Sequence, residues 1–277
     1  MRATGVWQTG PVSDSSDEPT DAGVEAVAVD PTMVLSALHD SVDVVVAALA
    51  EHEDWGPSGR RVGQYASDLV ADQAVHDLLD PRGYGVLSEE SGLREPDLEG
   101  MPVVVVDPLD GSTNASRGLP WFATSLCAVD GNGPLAAVVV DLISGTRYDA
   151  VRGWGARRDG ESIRRTDAPA LSEAIVGLSG LPPRHLGWGQ FRAMGAAALD
   201  LCAVADGRLD GYVDCSVDAH GVWDYLGALL VCAEAGVAVV DAHGRDLCVL
   251  DPDARRTPVA GAGPVLSEAL LEARRSF

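Results

Sequence analysis

Val103-Val104-Val105-Val106-Asp107-Pro108-Leu109-Asp110-Gly111-Ser112-Thr113-Asn114 is the stretch on which the fold turns. Four β-branched residues with no polar alternation predict a strand buried on both faces. The strand then ends in two carboxylates. Buried acids at a strand end are costly unless a cation or water meets them. Pro108 fixes φ and removes a donor, so the two acids can converge while the Leu109 carbonyl is left as a third oxygen. Gly111-Ser112-Thr113 can present successive backbone N–H groups, which suit a phosphate. The bland alternative is a turn, because Asp-Pro and Asp-Gly are common turn dipeptides.

Outward from this strand, both directions mix helices and strands. Asp30-Pro31 reads as an N-cap followed by proline at the first helical position, with a helix running to about Trp55 and stopped by Gly56-Pro57. A second helix is expected over Ala66–Leu79, ended by Asp80-Pro81-Arg82-Gly83. Gly85-Val86-Leu87 forms a short strand leading into Ser88-Glu89-Glu90-Ser91. Trp121–Asp130 and Leu135–Asp141 flank Gly131-Asn132-Gly133, a hairpin signal, with strand material on to about Arg158. A second half follows, with strands near 174–178, 211–213 and 237–240. Its helices fall near 196–205, from about 222 to 234, and from Pro264. The reading is therefore α+β or α/β with two mixed sheet-and-helix halves: 30–165, carrying most of the acid motifs, and 166–277, carrying Trp223-Asp224. Residues 1–29, rich in Ser, Asp, Gly and Pro, read as a disordered acidic arm.

Composition removes whole classes of function. The chain has 277 residues, enough for a core without disulfide or metal staples. Its net charge of −22 opposes nucleic-acid binding and docking on anionic membranes. All 20 basic residues are arginine. Without lysine there is no Schiff-base chemistry and no P-loop. Five cysteines without a CxxC pair read as reduced thiols of a cytoplasmic protein. No uninterrupted apolar run approaches 18 residues, and no signal-peptide pattern opens the chain.

The acids outside the central stretch each have a plain structural account. Glu89 and Glu90 follow a short strand and could be a solvated pair, the account preferred for Glu90. Asp224 could compensate a helix dipole, worth roughly 0.3–1 kcal/mol. Asp68 and Asp72, four apart, lie on one helix face. Together they say more. At ~4 Å two like charges repel by about 4 kcal/mol at an effective dielectric near 20, so a cluster of carboxylates needs divalent cations. An all-oxygen donor set suits Mg²⁺ rather than Zn²⁺. The six histidines are scattered and read as surface or core residues.

Ser88-Glu89-Glu90-Ser91, then Asp107-Pro108-Leu109-Asp110-Gly111-Ser112-Thr113-Asn114, then Trp223-Asp224 resembles the inositol monophosphatase family, in the Mg²⁺-dependent, lithium-sensitive sugar-phosphatase superfamily. Gly118-Leu119-Pro120, Gly153-Trp154-Gly155-Ala156 with Asp159-Gly160, Arg192–Leu199 and Glu234-Ala235-Gly236 agree in order and spacing, over about residues 33–275. The resemblance implies a layered αβαβα sugar-phosphatase fold, a homodimer, and two to three Mg²⁺ ions. It places Glu89, Asp107 and the Leu109 carbonyl on the first ion. Asp107, Asp110 and Asp224 fall on the second. Asp68, with Asp72 as alternative, joins Glu89 on a third. Glu89 and Ser112 would orient and deprotonate the attacking water, with Asp68 assisting. Gly111, Ser112, Gly195, Ala196 and Asp214 would meet the substrate, Asp218 being second to Asp214 as the acid on substrate hydroxyls. Three departures stand out. Ala115 replaces a usual aromatic, Ser88 a frequent glycine, and the connection 214–221 is longer than the family's.

The resemblance implies hydrolysis of a small phosphate monoester, with inositol 1-phosphate the lead substrate. Histidinol phosphate, a fructose bisphosphate or a 3′-phosphonucleotide would suit the same metal core. A haloacid-dehalogenase-type phosphatase would want acids two apart and a basic residue, commonly lysine; Asp107 and Asp110 are three apart. A non-catalytic cation- or phosphate-binding module would need the carboxylates but not Glu89 and the Ser112 hydroxyl together.

Overall fold

A computed structural model describes residues 29–277; the acidic arm read over 1–29 lies, but for Val29, outside the described residues. The chain begins with helices α1 (Pro31–Ala50) and α2 (Ala66–Leu79), then strands β1 (Gly85–Ser88), β2 (Gly92–Arg94) and β3 (Val103–Asp110). A short helix α3 (Ser112–Arg117) precedes β4 (Ala123–Asp130), β5 (Gly133–Asp141), β6 (Arg147–Val151), β7 (Gly155–Arg158) and β8 (Glu161–Ile163). Then come β9 (Ile175–Ser179), β10 (Gln190–Arg192), α4 (Ala197–Ala205), β11 (Gly211–Asp214) and α5 (Leu226–Ala235). The chain closes with β12 (Ala238–Asp241), β13 (Pro258–Gly261) and α6 (Gly263–Arg275).

Eight strands form one sheet in the order β2-β1-β3-β4-β5-β6-β7-β8, and five form a second in the order β10-β9-β11-β13-β12. In the first, only β1 and β3 run parallel. The alternation along β3 shows why the valine run is continuous. Val104 and Val106 pack with Val34, Leu38, Val42 and Val45 of α1 and with Ala71 and Val75 of α2. Val103 and Val105 turn the other way, towards α4 and α5. Fully burying each such side chain contributes roughly 1.5–3 kcal/mol. On the second sheet, Val176, Leu178, Val213 and Val259 pack with Leu266 and Leu270 of α6. The layers are thus α1/α2, large sheet, α4/α5, small sheet, α6. Covalently α4 and α5 belong to the second half, yet they pack beneath the first sheet.

Local chemistry explains most boundaries. Asp30 Oδ1 accepts from the Thr32 N–H at 2.9 Å, with Pro31 opening α1. That helix stops at Ala50 rather than near Trp55, because Glu51–Asp54 offers no apolar stripe and Asp54 turns back to the Gly56 N–H at 2.9 Å. Among the described residues, α1 alone is long and apolar enough to cross a membrane by length and composition. It carries Asp40 and Asp43, and one stripe of it is buried in the core described above. The helix read over 222–234 is a single turn at Val222–Asp224 followed by α5. Strand β13 went unread. It begins in proline and ends in glycine, residues that argue against a central strand, yet it is buried throughout between β11 and β12.

Candidate active site

In a regular strand, residues three apart point to opposite faces. Asp107 pairs with Ser125 and Asp110 with Ala123, so three steps on β3 oppose two on β4. This one-residue bulge brings both acids to the face that meets α4 and α5. Thr124 Oγ1 donates to the Pro108 carbonyl at 2.9 Å, satisfying the bulge inside the sheet. The Leu109 N–H donates to Asp107 Oδ1 at 3.1 Å, and Leu109 itself is buried on the α1/α2 side.

Parallel pairing of β1 with β3 places Glu89 beside the end of β3, its N–H donating to the Val106 carbonyl at 3.2 Å. Asp224 ends the single turn before α5; its Oδ2 accepts from the Gly221 N–H at 2.9 Å. One carboxylate oxygen each from Glu89, Asp107 and Asp224 lie within 4.8 Å of one another. Burial, then the charges of Asp224, Glu90 and Asp68, pushes Glu89 up to about 8. Burial, then Glu89, Asp110 and Asp224, holds Asp107 well above the usual carboxylate range. Asp110 rises to about 7 from burial and Asp224, although its Oδ2 accepts from the Ala198 N–H of α4 at 2.7 Å.

The remaining site residues fall around this centre. Asp68 Oδ2 accepts from the Tyr65 N–H at 2.9 Å, while Oδ1 is buried without a hydrogen-bond partner. Burial, with Glu90 adding to it, lifts Asp68 to about 7. Its alternative, Asp72, is already engaged by Ser88 Oγ at 2.5 Å and Ser91 Oγ at 3.2 Å. Ser88, in place of a glycine, therefore ties the Glu89 turn to α2. Gly111 has φ +86°, and a Cβ there would meet the Trp121 carbonyl at 3.1 Å and the Ala196 Cβ at 3.2 Å. Ser112 opens α3, whose first N–H groups lack intrahelical partners. Asn114 Nδ2 donates to the Trp121 carbonyl at 2.8 Å and the Met194 carbonyl at 2.7 Å, which brings Gly195 and buried Ala196 against the 111–114 turn.

Two expectations change. Asp214, read as the acid on substrate hydroxyls, has a fully buried side chain. Its Oδ1 accepts from the Ser216 N–H at 2.8 Å and lies 3.8 Å from His220 Nε2. A four-residue strand, β11, carries it into the fold rather than out to the surface, and the second choice, Asp218, pairs with Arg245 at 2.8 Å. Glu90, read as solvated, has a side chain only 3% exposed and pairs with Arg61. His220 was not singled out. Its Nδ1 lies 3.0 Å from Asp224 Oδ2. Burial opposes its charge, but Asp224, Asp214 and Asp110 raise it to about 9. The signal in the sequence was its spacing, four residues before Asp224.

The donor set fits a hard divalent cation. It offers carboxylate oxygens, an orphaned buried oxygen on Asp68, and acids whose crowding makes their shared ionisation costly without a cation.

Acids gathered at the bulged end of a buried strand can hold the divalent cations that phosphate-ester hydrolysis uses. The inositol monophosphatase family model matches residues 32–276. The chain is 34% identical over 213 residues to a fructose-1,6-bisphosphatase/inositol-1-monophosphatase of Thermococcus kodakarensis, covering 75% of this chain and 81% of that protein. It is 29% identical over 234 residues to the Nus factor SuhB of Pasteurella multocida, covering 76% and 85%. The crystal structure of the extragenic suppressor protein suhB from Bartonella henselae superposes with a TM-score of 0.75 at 25% identity, covering 88% of this chain and 98% of that one. This chain belongs to the inositol monophosphatase family, and it is a phosphoric monoester hydrolase.

Proposed function

We propose that the protein is a Mg²⁺-dependent phosphatase of a small polyol or sugar phosphate, with inositol 1-phosphate as lead substrate. The observation that carries this reading is the convergence of Glu89, Asp107 and Asp224 at the bulged end of β3. Glu89, Asp107 and the Leu109 carbonyl would hold one ion and Asp107, Asp110 and Asp224 a second. Asp68 with Glu89 would hold a third, the orphaned Asp68 oxygen favouring it over Asp72. When bound, these cations supply charge stabilisation for the transition state and make water more acidic.

The chain's own groups do the rest. The N–H groups of Gly111 and Ser112 receive phosphate oxygens. The Ser112 hydroxyl and Glu89 orient the attacking water, and Glu89 takes its proton, with Asp68 assisting. Asn114 keeps the 111–114 turn aligned with Gly195 and Ala196 across the two halves. Asp214 is buried beside His220 with its Oδ2 unpartnered, so the preferred alcohol is the property to measure. The homodimer and cytoplasmic location remain part of this reading.

The test is phosphate release with Mg²⁺ or EDTA on inositol 1-phosphate, histidinol phosphate, fructose 1,6-bisphosphate and 3′-phosphoadenosine 5′-phosphate. We expect Mg²⁺-dependent turnover, highest on inositol 1-phosphate and lost in Asp107→Asn. Mg²⁺ binding without release from any substrate would favour a binding module instead.

A further inference from the structure

We propose that Glu90, Arg61 and Gln64 form a latch that positions Glu89 and thereby sets the affinity of the acid cluster for a divalent cation. The proposal rests on the reading of Glu89 as a metal ligand. Arg61 Nη2 donates to Glu90 Oε2 at 2.8 Å, and Nη1 donates to the backbone carbonyl of Glu89 at 3.2 Å. Gln64 Nε2 donates to the same Glu90 oxygen. One guanidinium fork therefore grips both residues of the turn, a geometry that lysine could not reproduce.

The arm that carries the fork is closed on itself. Ser58 Oγ donates to Gln64 Oε1 at 2.7 Å and the Ser58 N–H to the Gln64 carbonyl at 2.9 Å. Ala66 N–H donates to the Gly56 carbonyl at 2.9 Å, and Pro57 bridges Tyr65. The loop 56–66 thus runs directly into the start of α2, where the Tyr65 N–H meets Asp68. On the opposite side the turn is fixed by Ser88 on Asp72 and by Ser91 Oγ at 2.8 Å from His76 Nε2, the ring's Nδ1 lying 3.0 Å from Asp80 Oδ1. Glu89 sits between these two attachments. The α2 attachment is built of side chains on a regular helix. The latch rests on a loop whose tip, Val62, is fully exposed, so it is the attachment that can release.

A purely electrostatic role makes a different prediction. Removing the Arg61 cation would tighten cation binding, removing the Glu90 anion would weaken it, and removing the neutral Gln64 amide would leave it unchanged. A latch weakens binding in all three cases, and cutting it twice costs little more than cutting it once.

The experiment titrates Mg²⁺ calorimetrically into wild type, Arg61→Ala, Glu90→Gln, Gln64→Ala and the Arg61→Ala/Glu90→Gln double variant, each checked by thermal melting. The Mg²⁺ dependence of kcat is measured alongside. We expect each single variant to bind Mg²⁺ roughly tenfold more weakly. The double variant should be no more than about twofold weaker than the poorer single one, and kcat at saturating Mg²⁺ should stay within about threefold. In metal-free protein, trypsin should cut at Arg60 and Arg61 faster in Glu90→Gln and Gln64→Ala than in wild type. Tighter binding in Arg61→Ala, unchanged binding in Gln64→Ala, or unchanged proteolysis would overturn the latch. If wild type binds no Mg²⁺, the metal reading of Glu89 fails, and proteolysis alone decides whether the latch exists.

Discussion

Asp214 shows how a residue's identity can suggest one role and its burial another. The resemblance implies an acid on substrate hydroxyls at this position, but the structure points it inward, beside His220. His220 in turn sits against Asp224. Asp214→Asn is therefore expected to keep the KM for inositol 1-phosphate within about twofold. Any loss should appear as a higher Mg²⁺ requirement, carried through His220 and Asp224. Steady-state kinetics at several Mg²⁺ concentrations will distinguish the two; a rise in KM above about tenfold at saturating Mg²⁺ would return Asp214 to the substrate. Asp107, Asp110, Glu89 and Asp224 were legible in the sequence because acids at the ends of apolar strands and helices conflict with burial. Glu90 and His220 were not. What makes Glu90 significant is a partner 29 residues away, which leaves no mark on local spacing; for His220 the trace is the bare four-residue spacing to Asp224, which means little until the fold brings the two together.

At the scale of elements, legibility followed the strength of local signals. The helix over 66–79 was read with its observed ends, and Asp30-Pro31 capped α1 as expected. The β4–β5 hairpin followed from Gly131-Asn132-Gly133. The bulge in β3 was not legible, since the register of one strand exists only relative to its partner. Nor was α3, whose composition reads as a turn. Yet these two elements place Asp110 and the first N–H groups of α3 side by side, joined by Gly111. Its φ of +86° costs a residue with a Cβ roughly 1–2 kcal/mol. A Cβ would also press on the Trp121 carbonyl and Ala196. Gly111→Ala is expected to destabilise by roughly 1–3 kcal/mol and to lower kcat/KM by at least about tenfold, because the start of α3 must shift. Thermal melting and kinetics on the same preparation test this; a stable variant with full activity would show that the turn tolerates displacement.

For the whole molecule, the boundary read near 165 falls between the strands of the two sheets, but the middle helical layer crosses it. The acids gathered at that crossing set how stability depends on pH. Glu89 rises to about 8, Asp68 and Asp110 to about 7, and Asp107 well above its usual range. In the unfolded chain these groups titrate near 4. Between roughly pH 4 and 8, the metal-free native state therefore holds more protons than the unfolded state, and stability falls as pH rises. Asp241 acts in the opposite sense. Burial alone would raise it, but Arg245 and the N–H groups of Thr257 and Arg245 hold it well below the usual range. Its contribution is present above the unfolded carboxylate value and is lost as pH falls through the lower native one. Metal-free protein should thus be most stable in mildly acidic buffer and lose Tm steadily towards pH 8.5. Saturating Mg²⁺ should remove most of that slope by taking the place of the protons. Asp107→Asn should flatten it without any metal, giving a more stable and inactive protein. Melting curves from pH 4.5 to 8.5, with Mg²⁺ or EDTA, measure all three. A metal-free Tm that is flat across this range would mean that the acids are not crowded enough to resist ionisation, and the case for a cation at the end of β3 would lose its physical basis.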